Sequence, residues 1–352
     1  MKAISDRKPT VALVLGSGGA RGYAHVGVIE VLLERGFEIK AISGCSMGAL
    51  VGGIHAAGRL RDFKDWATGL GQFDVFRLLD ISLSSPGAIR GEKVFSFVRD
   101  LIGDVRIEDL PISYTAVATD LRHHKEIWFQ EGPLHKAIRA SVAIPSLITP
   151  VVYGDRVLVD GGLLNPLPIM PTIAAHADYI MAVNLSFYDK PSERLLFKEP
   201  AAKGRTLDSW MHGLRAKAAQ LFDKDTASAL NSSDNTPALV EGGGARAISA
   251  DEIDNQAVSP ETEEERAEEM RQLAIGKFDI MNLSFETMQS SLTQYKLAGY
   301  PPDLLINVPK GVCGTFDFHK APELIQLGRQ LATEALDRAF AEGRLQTPPA
   351  ND

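Results

Sequence analysis

The chain has 352 residues, of which 45% are hydrophobic and 23% charged, a composition that fits a folded globular protein and excludes a fibrous or wholly disordered one. Its formal net charge of -8 is concentrated: Asp251 to Glu269 carries nine acids and one arginine, so the rest is close to neutral and lacks the basic footprint of a nucleic-acid binder. No run of about 18 apolar residues is present to span a membrane, and the two cysteines, Cys45 and Cys313, provide neither a disulfide framework nor a metal pattern.

These features suit a reducing compartment. The apolar run behind Lys2, Arg7 and Lys8 is too short for a secretory signal. The expectation is therefore a cytoplasmic protein, with attachment to the inner membrane surface left open. No metal or cofactor is expected, and the oligomeric state is not legible.

The first 190 residues alternate between strand and helix patterns. Val11–Leu15 is a buried strand that enters the glycine-rich turn "GSGGARG" (Gly16 to Gly22), followed by a helix with Ala24, Val28, Val31 and Leu32 on one face. Phe37–Ser43 is a second strand and "MGALVGGIHAAG" (Met47 to Gly58) a second helix. Ile112–Asp120 reads as a strand and "HKAIRASVAIP" as a short helix running into a loop. Gly154-Asp155 marks a hairpin turn inside "PVVYGDRVLVDGG", and "ADYIMAVNLS" is a further buried strand. This alternation predicts an α/β fold: a mainly parallel central sheet flanked by helices on both faces.

The character changes after Asp189. Thr206 to Phe222 places Leu207, Trp210, Met211, Leu214, Ala218 and Leu221 on one helical face, which suits either a lipid-facing lid or anchor or a face packed on the domain. Residues 231–269 are acidic and aperiodic and read as a flexible insertion. Its "GGGAR" (Gly242 to Arg246) has no strand before it and no periodic helix after it. Two helices, Ile280–Gly299 and His319–Phe340, with a strand at Asp303–Pro309 between them, then return to the core. The expected organisation is a core at 9–187, a long irregular insertion at 188–272, a completing segment at 273–340 and a tail at 341–352.

Three short stretches carry the candidate chemistry. Gly44-Cys45-Ser46-Met47-Gly48 has the form G-x-S-x-G between a predicted strand and a predicted helix, as in a nucleophile elbow. The glycine turn at Gly16, Gly18, Gly19 and Gly22 presents backbone N–H groups at a helix start, where an anion is held. That anion is either a cofactor phosphate or a transient oxyanion. The phosphate reading needs an acid or an arginine at the end of the second strand, and the serine motif stands there instead. Arg21 braces this loop, adds positive potential, or is a surface side chain. Asp160, followed by Gly161 and Gly162, is a turn former or a carboxylate held at the sheet's edge. His25, His55, His123 and His124 read as packed, surface or turn residues rather than as a catalytic base.

Together, "GSGGARG", "GCSMG" and "DGG" in this order resemble the patatin-like phospholipase family, and in particular bacterial members grouped with neuropathy target esterase. "RASVAIPSLITPV" and "DGGLLNPLP" are similar to that family's connecting segments, and Ser17 stands where a third consecutive glycine is common. The resemblance implies a three-layer α/β/α fold and a serine acyl hydrolase that cleaves phospholipid or lysophospholipid esters and releases fatty acid. It implies a Ser46–Asp160 dyad without histidine, and an oxyanion hole from Gly18 and Gly19 with Met47 and Arg21 contributing. The alternatives are a nucleotide-binding or regulatory protein, and a signal-gated effector with the acidic insertion as its partner site.

Overall fold

A computed structural model describes residues 7–78, 91–145, 147–187, 277–346 and 348. The proposed amphipathic helix 206–222, the acidic stretch 231–269 and the second glycine cluster at 242–246 lie outside the described residues. The chain divides into two compact units. One comprises Met1–Asp189, Glu199–Trp210 and Met288–Asp352; the other comprises Lys190–Lys198 and Met211–Thr287. Of the second, the described part is helical and begins at Lys277.

The first unit is built on an eight-stranded sheet. Strands β1 (Thr10–Leu15), β2 (Glu38–Cys45), β3 (Ser113–Asp120), β7 (Tyr179–Phe187) and β8 (Leu304–Pro309) run parallel in the order β3-β2-β1-β7-β8. Three strands depart from this direction. β4 (Lys125–Phe129) and β6 (Arg156–Asp160) pair antiparallel with β3, and β5 (Val151–Tyr153) pairs antiparallel with β6 across the Gly154-Asp155 turn. The sheet is thus mixed but mostly parallel. β4 is not singled out by the sequence, because Lys125 and Trp128 are exposed and Glu126, Ile127 and Phe129 are only partly buried.

The apolar residues dictate the layers. Val11, Leu13 and Leu15 of β1 face the main core, which α1 (Ala24–Glu34), α2 (Met47–Ala56) and α8 (Ala321–Ala341) cover. α1 is buried almost all round, including His25, Val26, Gly27 and Ile29, as expected for a helix enclosed between a sheet and another helix. Val14 faces the opposite side, where Leu167, Ile169 and Ala182 form a smaller core closed by Leu297 of α7 (Lys277–Gly299). α3 (Leu60–Thr68), α4 (Gln72–Leu78) and α5 (Glu92–Ile102) follow α2, and α6 (Leu134–Ser141) follows β4. Trp66 of α3 stacks on Phe97 of α5 with ring centroids 4.0 Å apart, joining the two helices.

Candidate active site

The glycine turn leaves β1 at Leu15 and enters a 3-10 turn at Gly19–Tyr23 before α1. Its backbone is pinned from several sides. Gly16 N donates to Val183 O (3.1 Å), Ser17 N to Pro166 O (2.8 Å) and Ala20 N to Thr315 O (2.9 Å). Between these, the N–H groups of Gly18 and Gly19 have no hydrogen-bond partner among the described residues. Gly19 has φ +57°, and a Cβ there would lie 2.5 Å from Thr315 O, so glycine is required on both conformational and steric grounds.

The loop's carbonyls face the other way. Gly16 O lies 2.9 Å from Nε2 of the fully buried His25, and Gly18 O accepts from Arg21 Nε at 3.1 Å. Arg21 also donates to Lys310 O at 3.3 Å, so this buried guanidinium braces the loop. Burial pushes His25 down to about 4, so it is neutral near pH 7. Because a carbonyl only accepts, its Nε2 carries the proton. Both side chains turn the backbone so that the Gly18 and Gly19 N–H groups are left over.

Ser46 sits between β2 and α2 with φ 56° and ψ -123°, a strained conformation for a residue with a Cβ. Its N–H donates to Ser141 Oγ (3.0 Å), which in turn donates to Val117 O (2.6 Å). The turn is this sharp because α2 crosses directly over β1: a Cβ on Gly48 would strike Leu15 O. The N–H of Met47 is the first of α2 and directly follows the serine.

Strand register explains how Asp160 meets this serine. Residues 113–117 of β3 pair with β2, ending at Cys45 opposite Val117. Residues 118–120 pair with β6, whose last residue, Asp160, is opposite Ala118. β4 pairs with residues 116–120 and so occupies the opposite edge of β3. β2 and β6 therefore share one edge of β3, end to end, and their terminal residues abut.

The resulting contacts are short. Asp160 Oδ1 accepts from Gly162 N at 2.7 Å and from Cys45 Sγ at 3.6 Å. Asp160 is thus the cap of the 3-10 turn Gly161–Leu163 as well as a carboxylate at the sheet's edge. Oδ2 is buried with no partner of good hydrogen-bond geometry among the described residues. Burial pushes the Asp160 carboxyl up to about 6, opposed by the Ser46 hydroxyl, the Gly162 N–H and the Cys45 thiol. The Ser46 hydroxyl is close enough to act on the Asp160 carboxyl.

Ser46 and Gly19 also line an apolar cavity of about 120 Å³, with Leu50, Phe63, Phe95 and Val142 among its walls. α3 and α5, which carry two of these walls, have no counterpart in the strand and helix patterns singled out from sequence. Among the described residues no cluster of three His, Cys, Asp or Glu side chains is placed to hold a metal ion. None of the described helices is long and apolar enough to cross a membrane. His55 on α2 is mostly buried, and burial pushes it down to about 4. His123 pairs with Asp120 at 2.8 Å at the β3–β4 turn, where His124 takes φ 53°.

Residues 13–173 match the patatin-like phospholipase family model. An uncharacterised NTE family protein of Mycobacterium tuberculosis is 46% identical over 344 residues, covering 96% of this chain and 94% of that protein. The lysophospholipase NTE1 of Debaryomyces hansenii is 32% identical over 188 residues, covering 51% of this chain and 12% of the fungal protein. Among solved structures, VipD from Legionella pneumophila aligns with a TM-score of 0.46 at 14% identity, covering 94% of this chain and 67% of that one. With similarity extending over nearly its whole length, the chain belongs to the NTE family and carries a patatin-like phospholipase domain.

Proposed function

We propose that this protein is a serine acyl hydrolase that cleaves carboxylic esters of phospholipids or lysophospholipids through a Ser46–Asp160 dyad. The observation that carries the reading is the strained Ser46, which lies beside the buried Asp160 and lines an apolar cavity. An acyl chain occupies that cavity, which brings its ester carbonyl to Ser46. Ser46 Oγ attacks the carbonyl carbon while its proton passes to Asp160 Oδ2. The carbonyl oxygen becomes an oxyanion held by the N–H groups of Gly18 and Gly19, with Met47 N–H at the start of α2 as a third donor. Collapse breaks the ester bond, and the leaving alcohol takes the proton from Asp160.

Water then completes the cycle. Asp160 removes a proton from it, hydroxide attacks the acyl-serine, and fatty acid leaves as Ser46 regains its proton. A carboxylate near its usual range is a poor base, and desolvation brings Asp160 closer to working pH. The lysophospholipase names of the fungal relatives support a lipid ester as substrate.

A fluorophosphonate probe tests the assignment. Wild type is expected to label and Ser46→Ala not to, with turnover of a lipid ester falling about 10⁴-fold or more. Folded wild type that fails to label overturns the reading. A nucleotide ligand has less support, because β2 ends in the serine turn and the adjoining cavity is apolar.

A further inference from the structure

Oδ1 of Asp160 is occupied from behind. Cys45, the residue before the nucleophile, is fully buried and places Sγ 3.6 Å from this oxygen. Ser17 of the glycine turn contacts the same thiol and accepts from Gln289 Nε2 of α7 at 3.3 Å. The four side chains are buried, and Gly162 marks where they converge. A Cβ on Gly162 would meet Gln289 Nε2, Ser17 Oγ at 2.9 Å and Asp160 Oδ1 at 3.0 Å.

α7 holds the far side of the same turn as well. Lys296 Nζ lies 2.9 Å from Glu126 Oε1, and Glu126 Oε2 accepts from Asn165 Nδ2 at 2.9 Å. Asn165 N closes the turn onto Gly161 O at 2.8 Å.

We propose that Cys45, Ser17 and Gln289 are positioning residues for the dyad: they fix Oδ1 of Asp160, leave Oδ2 as the only oxygen free to take the serine proton, and make the seating of α7 a condition of turnover. The proposal rests on Ser46 and Asp160 acting as described above. Burial and the neighbouring Asp160 push the Cys45 thiol well above its usual range, so it stays protonated and donates. The ionisable groups facing Asp160 are Cys45 on β2 and, one layer out, Glu126 on β4, which Lys296 neutralises. Ser17 matters because glycine at that position has no side chain to join α7 to the thiol.

The test is the acid limb of kcat/KM on a soluble short-chain aryl ester, measured for wild type, Cys45→Ala and Cys45→Ser. Loss of the donor in Cys45→Ala moves the limb to higher pH by roughly half a unit or more, and the stronger hydroxyl donor in Cys45→Ser moves it back or below wild type. Gln289→Leu, on a different element, repeats the test if Cys45→Ala does not fold. Its kcat is expected to fall about 10- to 100-fold with KM unchanged, with faster amide exchange across residues 161–165. Superimposable pH profiles in the Cys45 series, or an unchanged kcat in folded Gln289→Leu, overturn the positioning role. Fluorophosphonate labelling of Ser46 is scored separately, so failure of the dyad itself is recognised by unlabelled wild type.

Discussion

At residue scale, Ser46 and Asp160 are each held in a state that the unfolded chain does not favour. Ser46 has positive φ, a conformation that glycine adopts without the Cβ penalty. Ser46→Gly is therefore expected to abolish labelling and turnover while raising stability by about 1 kcal/mol, read from denaturant midpoints. Asp160 holds its proton up to about pH 6 when folded, well above its ordinary carboxyl value of 3.8. Folded protein thus binds more protons than unfolded protein between these values, and stability falls as pH rises through the interval. The cost reaches about 2–3 kcal/mol above pH 6, so Asp160→Asn is expected to be the more stable form at pH 8 and to lose this advantage near pH 4. Activity runs the opposite way: with Asp160 as the proposed base, kcat/KM should fall as pH drops through about 6, because the carboxylate becomes protonated. A pH–rate profile flat between 5 and 8 contradicts that assignment.

At the scale of elements, the close contact between α1 and α8 is made by backbone rather than by charge. Cβ atoms on Gly27 and Gly328 would each strike the facing helix, at Ile325 O and Ala24 O respectively. Arg329 bridges Glu30 and Glu34 across the same contact at 2.9 and 2.7 Å, but these groups are partly exposed. Gly328→Val is expected to cost about 2–3 kcal/mol by forcing the helices apart, whereas Arg329→Met costs under about 1 kcal/mol; paired denaturation curves separate the two.

Sequence periodicity is enough to expose β1, β2, α2, β7, β8 and α8, because their apolar spacing matches what each buries, while the β5–β6 hairpin is marked by its Gly154-Asp155 turn, since Val152 and Tyr153 are exposed. α3 and α5 carry an amphipathic pattern as well, with Phe63 and Ala67 on the buried face of α3 and Val98 and Ile102 on that of α5, but no chemical motif marks them as part of the site. The motif residues of the candidate site are likewise visible as local patterns, strand to glycine turn and strand to serine turn. Gln289 is not, since a glutamine in a helix carries no mark of a partner 272 positions away. Nor does spacing show that Arg21 bonds the Gly18 carbonyl, which is a matter of loop conformation.

At the scale of the whole molecule, the cavity draws on segments from Gly19 to Phe318, so anything that fills it holds much of the fold together. A ligand bound to the native state alone raises Tm. Alkyl phosphonates attached to Ser46 should therefore raise Tm progressively with chain length, each buried methylene adding about 0.8 kcal/mol of stability, until the cavity is full. A Tm that ignores chain length removes the acyl role of the cavity.

The shared edge of β3 has one more consequence. Side chains alternate across a sheet, so a slip of β6 by one residue along β3 would turn Asp160 to the opposite face and bring Val159 or Gly161 to its place. The same slip would turn the buried Leu158 and Val159 over as well, so the packing that holds β6 in register is also what brings Asp160 to Ser46.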